Sequence, residues 1–186
     1  MAGRTIISLL FAFAMPCCLT FLNKTLLVRA YIRLRMTKEP CTIFYTDDDD
    51  DDRFTFSDAL RHVTDECQLA LQRNGDELLN MLKNPSPRPS LVFLDLNMPV
   101  KNGYTVLKEI REKESLDDLP VVIFSTSDDD VSINTSKELG ANLYMPKPST
   151  FAALKTAIRH ALSINWKDFS PSPETFVFNA ANHPDA

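Results

Sequence analysis

The stretch Leu91–Gly103, LVFLDLNMPVKNG, constrains the fold more than any other part of the chain. Leu91, Val92, Phe93 and Leu94 form an apolar run without polar alternation, the pattern of a strand buried on both faces of a parallel sheet. Asp95 closes the run with a carboxylate. In open α/β sheets ligands gather at the C-terminal ends of strands, so an acid there is a candidate for chemistry; the bland alternative is an Asp that caps the next turn. Asn97, Met98, Pro99 and the Lys101, Asn102, Gly103 turn set a tight loop over the acid before a helix that starts near Tyr104.

With 186 residues, 44% of them apolar, the chain has room for one globular domain with a proper core and short extensions. The net charge of −5 is unevenly spread: Arg4, Lys24, Arg29, Arg33, Arg35 and Lys38 precede an acidic remainder. An acidic surface argues against direct nucleic-acid binding, which needs a basic face to neutralise phosphates. Cys17, Cys18, Cys41 and Cys67 have neither metal-ligand nor redox-motif spacing and read as reduced thiols of a cytosolic fold.

Residues 1–39 read as an apolar and basic extension. The run Thr5–Leu22 has about 18 uncharged residues, which at about 1.5 Å per residue barely spans a hydrocarbon core. A cleaved signal peptide fits poorly, with Arg4 as the sole basic residue ahead of the run. Two readings stand open. In one, residues 5–22 are a signal anchor, and the basic residues behind them keep the globular part at the cytoplasmic face of the membrane. In the other, favoured slightly, Met36 is the true start and the domain is simply cytoplasmic.

The expected domain covers residues 40–165. Cys41–Thr46 is a β-favouring run followed by six aspartates, Asp47 to Asp52. Phe56, Leu60 and Val63 then mark an amphipathic helix, which makes the acidic run a βα loop. An EF-hand is excluded, because Asp52 stands where Gly is needed and Asp58 where a bidentate Glu is needed. A second strand is expected over Gln68–Leu71, with a helix over Leu78, Leu79 and Leu82 and a proline-rich loop before Leu91. Beyond Gly103, Val106, Leu107 and Ile110 face inward, and a fourth strand, VVIFST, ends at Ser125 and Thr126. Ser127 with Asp130 resembles a capping box, opening a helix with a thin apolar face of Val131, Thr135 and Leu139. A fifth strand, Asn142–Met145, runs into Pro146, Lys147 and Pro148. The last helix turns Leu154, Ile158 and Leu162 to one side. Residues 166–186 contain prolines and no periodicity, and are expected to be mobile.

Strands alternating with helices five times imply an α/β domain with a parallel sheet and helices on both faces. The aspartates from Asp47, then Asp95, Ser125 and Lys147 all fall at C-terminal strand ends, which gathers them on one sheet edge. Carboxylates a few ångströms apart cannot all stay ionised without a counter-charge, so they predict a hard divalent cation, Mg²⁺, with the lysine as a second positive partner. Carboxylate, metal and ammonium together suit phosphoryl transfer to an aspartate.

The separated motifs IFYTDD, LVFLDLNMPVKNG, PVVIFST and YMPKP resemble the receiver domains of two-component response regulators, over about residues 40–165. The resemblance implies a flavodoxin-like five-stranded sheet in the order 2-1-3-4-5, with a cis bond at Lys147–Pro148. It implies Asp95 as phosphoacceptor, Asp48 as a direct Mg²⁺ ligand, Asp47 as its water-mediated neighbour, and the main-chain carbonyl of Asn97 completing the metal site. Ser125 would close on the phosphoryl group, Lys147 contact it, and Tyr144 serve as the aromatic switch. The acidic run leaves Asp48 and Asp49 as an alternative pair, although Arg53, six residues after Asp47, favours Asp47 and Asp48. Pro146, inside the last strand, is tolerable at a sheet edge.

The implied function is a single-domain response regulator. It takes its phosphoryl group from a sensor histidine kinase or a histidine phosphotransfer protein and acts by docking to a downstream protein, with no nucleic acid as partner. Two rival functions fit less well. A phosphatase of haloacid-dehalogenase type needs a second Asp two residues after the nucleophile as general acid, where this chain has Asn97. A degenerate receiver acting only as an interaction module conflicts with the intact Asp48, Asp95, Ser125 and Lys147. His62, His160 and His183 are scattered and carry no such chemistry.

Overall fold

The computed structural model describes residues 41–180. The expectations for Thr5–Leu22, Cys17, Cys18, Met36 and His183 lie outside the described residues. Among those described, no helix is long and apolar enough to cross a membrane.

Five strands form one sheet: β1 (Cys41–Thr46), β2 (Cys67–Gln72), β3 (Leu91–Leu94), β4 (Val121–Ser125) and β5 (Leu143–Pro146). Between and after them lie α1 (Asp50–Val63), α2 (Gly75–Lys83), α3 (Gly103–Arg111), α4 (Asp130–Glu138) and α5 (Phe151–Ser163), with a 3-10 turn at Glu114–Leu116. The sheet order is β2-β1-β3-β4-β5 and every pair is parallel, as expected. All four β3 residues are buried, because helices cover both faces. Val92 and Leu94 join Phe44 and Ile123 against α2 and α3, while Leu91 and Phe93 join Ile43, Tyr45 and Phe124 against α1 and α5. The second face holds an aromatic nest in which Phe56 stacks on Tyr45 at 4.2 Å and meets Phe93 edge-on at 5.0 Å.

The acidic run divides its labour. Asp47 and Asp48 stay in the β1–α1 loop, and Asp49 caps α1 by accepting from the N–H groups of Asp51 (2.8 Å) and Asp52 (3.3 Å). Asp50, Asp51 and Asp52 fill the first helical turn, where negative charge meets the positive end of the helix dipole. Asp49 is therefore engaged in capping, which separates it from the pair Asp47 and Asp48.

Several expectations need correction. Cys41 and Cys67 form a disulfide, because the parallel register sets them directly opposite at 4.6 Å between Cα atoms. Helix α4 is capped by Asp129, which accepts from Ser132 N at 2.9 Å, rather than by Ser127. Of the expected α4 face Val131 is 75% exposed, whereas Leu139 packs against the core, joined there by Ile133 and the buried Ser136. The peptide bond at Lys147–Pro148 is not cis; the cis bond among the described residues is Ser86–Pro87. With that bond trans, Lys147 N still donates to Ser125 O at 2.8 Å, continuing the strand contact past Pro146.

The segment after α5 is not a loose tail. Phe176, Phe178 and Ala180 are buried, and Val177 makes a parallel bridge with Tyr144. Two phenylalanines two residues apart supply the apolar contact that a search for helical or strand periodicity passes over.

Candidate functional site

Asp95 stands one residue beyond β3, with its N–H donating to Thr46 O at 3.0 Å, so the β1–β3 ladder fixes the acid beside the start of the acidic run. Its Oδ2 accepts from Asn97 N at 3.1 Å, while Oδ1 is buried and receives no hydrogen bond. The loop beyond turns tightly: Gly103 N donates to Leu96 O at 3.0 Å, and a Cβ on Gly103 would lie 2.3 Å from Asp95 O. Only glycine allows that approach.

Asp47, Asp48 and Asp95 each bring one carboxylate oxygen within 4.8 Å of the others. Asp47 is buried; its Oδ1 accepts from Asp49 N at 3.0 Å and its Oδ2 from the Tyr45 hydroxyl. Asp48 is the exposed member of the cluster. Arg53 donates to the main-chain carbonyl of Asp47 and pairs with Asp50. That contact locks α1 against the loop and accounts for the spacing of Arg53 from Asp47.

Lys147 Nζ reaches into the same space, 2.7 Å from Asp47 Oδ2, 2.7 Å from Asp52 Oδ2 and 3.7 Å from Asp95 Oδ1. Burial opposes the ammonium charge, but the hydrogen bonds to Asp47 and Asp52 and the field of Asp95 outweigh it and hold the pKa above the ordinary lysine value. Burial holds the Asp95 carboxyl above the ordinary carboxylate range; Asp47 adds to the rise, and Lys147 pulls against it. Asp52 is the participant that sequence reading missed. Six identical residues conceal which of them faces the lysine, because that depends on where within the run the helix begins.

On the opposite side Ser125 is fully buried, and its Oγ accepts from Ser127 N at 3.4 Å. The Asn97 amide spans the gap, with its Nδ2 at 3.4 Å from Ser125 Oγ and 3.2 Å from Ser127 Oγ. Tyr144, also buried, donates its hydroxyl to Ser127 O at 2.7 Å. All seven candidate residues thus fall at or beside one sheet edge, with Tyr144 attached through the β4–α4 loop. Asn97 faces hydroxyls through an amide that has no proton to transfer as a general acid, which disfavours the phosphatase reading.

Donor set and geometry fit a hard divalent cation: three carboxylates converge and one buried carboxylate oxygen has no hydrogen bond. A doubly wound sheet carrying an acid cluster and a largely covered lysine at its C-terminal edge has the charge arrangement of an α/β module that handles phosphoryl groups there.

Residues 43–159 match the family model of the response regulator receiver domain. The chain belongs to that family. It is 34% identical over 113 residues to the response regulator Rcp1 of Synechocystis sp., covering 58% of this chain and 77% of that relative. It is 35% identical over 89 residues to the transcriptional regulatory protein CssR of Bacillus subtilis, covering 48% of this chain and 39% of that longer relative. Among solved structures, Mn²⁺-bound Rcp1 superposes with a TM-score of 0.61 at 30% identity, covering 72% of this chain and 99% of that one. The phosphorylated cyanobacterial phytochrome response regulator RcpA gives 0.62 at 31%, covering 73% and 99%. The fold and these relationships make this chain a phosphoryl-accepting response regulator of the two-component type.

Proposed function

We propose that Asp95 is the phosphoacceptor, that Asp47, Asp48 and Asp95 with the main-chain carbonyl of Asn97 hold Mg²⁺, and that the donor is a histidine kinase or a histidine phosphotransfer protein. The observation that carries this reading is the Oδ1 oxygen of Asp95, buried, without a hydrogen bond and 3.7 Å from the Lys147 ammonium. An unsatisfied buried carboxylate oxygen is costly, and its retention is explained if it is the attacking atom.

In the reaction an Asp95 oxygen forms a bond to phosphorus as the P–N bond of the donor phosphohistidine breaks, with imidazole as the leaving group. Lys147 pairs with a phosphoryl oxygen, and the Ser125 hydroxyl donates to another. A bound divalent cation supplies the remaining positive charge. Tyr144 answers the change through the Ser127 carbonyl, and the chain signals by docking to a protein partner.

Incubation with acetyl phosphate and Mg²⁺ is expected to add one phosphoryl group, labile to hydroxylamine as an acyl phosphate is. Asp95→Asn should stay folded and take none. Label persisting on Asp95→Asn would move the acceptor into the Asp47–Asp52 run.

A further inference from the structure

The segment 175–180 closes an edge that the sheet otherwise leaves open. β5 is the last strand of the five, and the outward backbone groups of Tyr144 are both taken by this segment: Tyr144 N donates to Phe176 O at 2.8 Å and Phe178 N donates to Tyr144 O at 2.9 Å. The side chains on either side of the bridge part company. Phe176 goes to the α4 face, with the Lys137 ammonium 5.6 Å from its ring centre and the Tyr144 ring at 6.5 Å. Phe178 goes to the α5 face and stacks on His160 at 3.8 Å with 7° between the planes. The two rings grip the sheet edge from both sides, and Val177 between them is left partly exposed. A turn built by Ser172 and Thr175 directs the chain into this seat, Phe176 N donating to Ser172 O at 3.0 Å.

Two lines of contact join this edge to Asp95. Lys147 follows β5 directly and carries its Nζ to the acid cluster; Tyr144 holds the Ser127 carbonyl, in the loop that follows Ser125. A phosphoryl group on Asp95 brings new negative charge opposite Lys147 and a new acceptor for the Ser125 hydroxyl. Lys147 is then drawn from Asp47 and Asp52, and the 125–127 loop moves towards Asp95. Both displacements converge on Tyr144, whose main-chain N–H and carbonyl bond the segment to β5. A seat fitted to one position of Tyr144, through one bridge, is weakened when Tyr144 shifts.

We propose that residues 175–180 are a built-in occupant of the β5 edge, seated in the unphosphorylated chain and loosened by phosphorylation of Asp95, so that the edge opens to an extended partner segment bearing two aromatic side chains. The chemistry of that partner is read from the occupant: a strand-like peptide that offers one bridge to Tyr144 and an aromatic ring to each face. This rests on Asp95 being the acceptor.

The test is residue-resolved amide exchange by NMR on the full chain, with Mg²⁺ and with or without beryllofluoride as acyl-phosphate mimic, alongside a parallel sample labelled by acetyl phosphate. The amides of Tyr144 and Phe178 are expected to exchange at least about tenfold faster in the activated chain, a change of the size that coupling between sites commonly produces. The Val92 amide, bonded to Pro120 O in the sheet centre, serves as the unchanged reference. Unchanged or slower exchange at Tyr144 and Phe178, in chains whose mass shows the added phosphoryl group, overturns the proposal and leaves the acceptor assignment standing. Absence of the added mass overturns both. Reciprocity supplies a second measurement: Phe178→Ala, which loosens the seat, should bind beryllofluoride with Mg²⁺ at least about threefold more tightly than the parent. An equal or weaker affinity in the folded variant also overturns the proposal.

Discussion

Lys147 and Asp52 meet at 2.7 Å across 95 residues of sequence, the ammonium arriving from the end of β5 and the carboxylate from the first turn of α1. The same ammonium is 3.7 Å from Asp95 Oδ1, so Asp52 competes with the acceptor for its positive partner. Asp52→Asn should release part of that hold. The side chain of Asp52 is 44% exposed, which screens the pair to at most about 1 kcal/mol. Labelling of Asp95 by acetyl phosphate is accordingly expected to rise by up to about fivefold. A slower rate would mean that Asp52 positions Lys147 for the reaction rather than restraining it.

Asp95 itself weakens the fold in the absence of metal. Burial raises its pKa, so folding favours the protonated carboxyl; the ionised group costs stability as pH rises from the unfolded-state value through the folded-state value, and the cost is complete above both. Asp95→Asn removes the charge at almost constant volume. Its melting temperature at neutral pH without metal should exceed that of the parent, with the difference vanishing in acid. Thermal melts across pH check both the sign and the window.

Divalent metal should reverse that order, since it rewards the very charge that burial penalises. Mg²⁺ is expected to raise the melting temperature of the parent more than that of Asp95→Asn. Asp48→Ala should weaken binding by at least about tenfold, as loss of one carboxylate from a small oxygen-donor site does. Asp51→Ala should bind as the parent does, because Asp51 is exposed in the first turn of α1. Calorimetric titration distinguishes the two variants, and equal losses would point to diffuse attraction by the whole acidic run.

Gly103→Ala tests the acceptor loop by shape alone. Its added methyl would lie 2.3 Å from Asp95 O and 2.8 Å from Leu96 Cα, both backbone atoms that cannot swing aside. A destabilisation of about 2 kcal/mol or more is expected, at the upper part of the range for overpacking. Phosphoryl labelling should fall with it. Chemical denaturation gives the first quantity and intact mass the second.

The buried strands were legible because their residues are apolar on both faces: Cys41–Thr46 and Leu91–Leu94 stand where the sequence puts them. β2 extends one residue beyond the expected Gln68–Leu71 at each end, because register with β1 carries the pairing on to Cys67 and Gln72. The same register brings Cys41 to Cys67, a relationship that spacing along the chain cannot carry. In the site, Asp95, Ser125 and Lys147 were readable as single polar residues at the ends of apolar runs. The role of Asp52 was not, because it comes from the angular position of a helix that begins inside a uniform stretch. Phe176 and Phe178 were hidden for a third reason: they diverge to opposite faces of the sheet, so neither period finds them.

The six consecutive aspartates have one more consequence. Removing any one of the six yields the same five-residue run, so six distinct genetic deletions converge on a single protein. Arg53 is tied to the Asp47 carbonyl and Phe56 to the aromatic nest, which anchor both ends of the stretch. The shortened run still holds carboxylates enough for a metal pair, a helix cap and a partner for Lys147, but between those two anchors it can no longer set all of them at their present places. What the repeat conserves is therefore its length rather than each of its members: a measured distance between the end of a strand and the start of a helix, written in one letter.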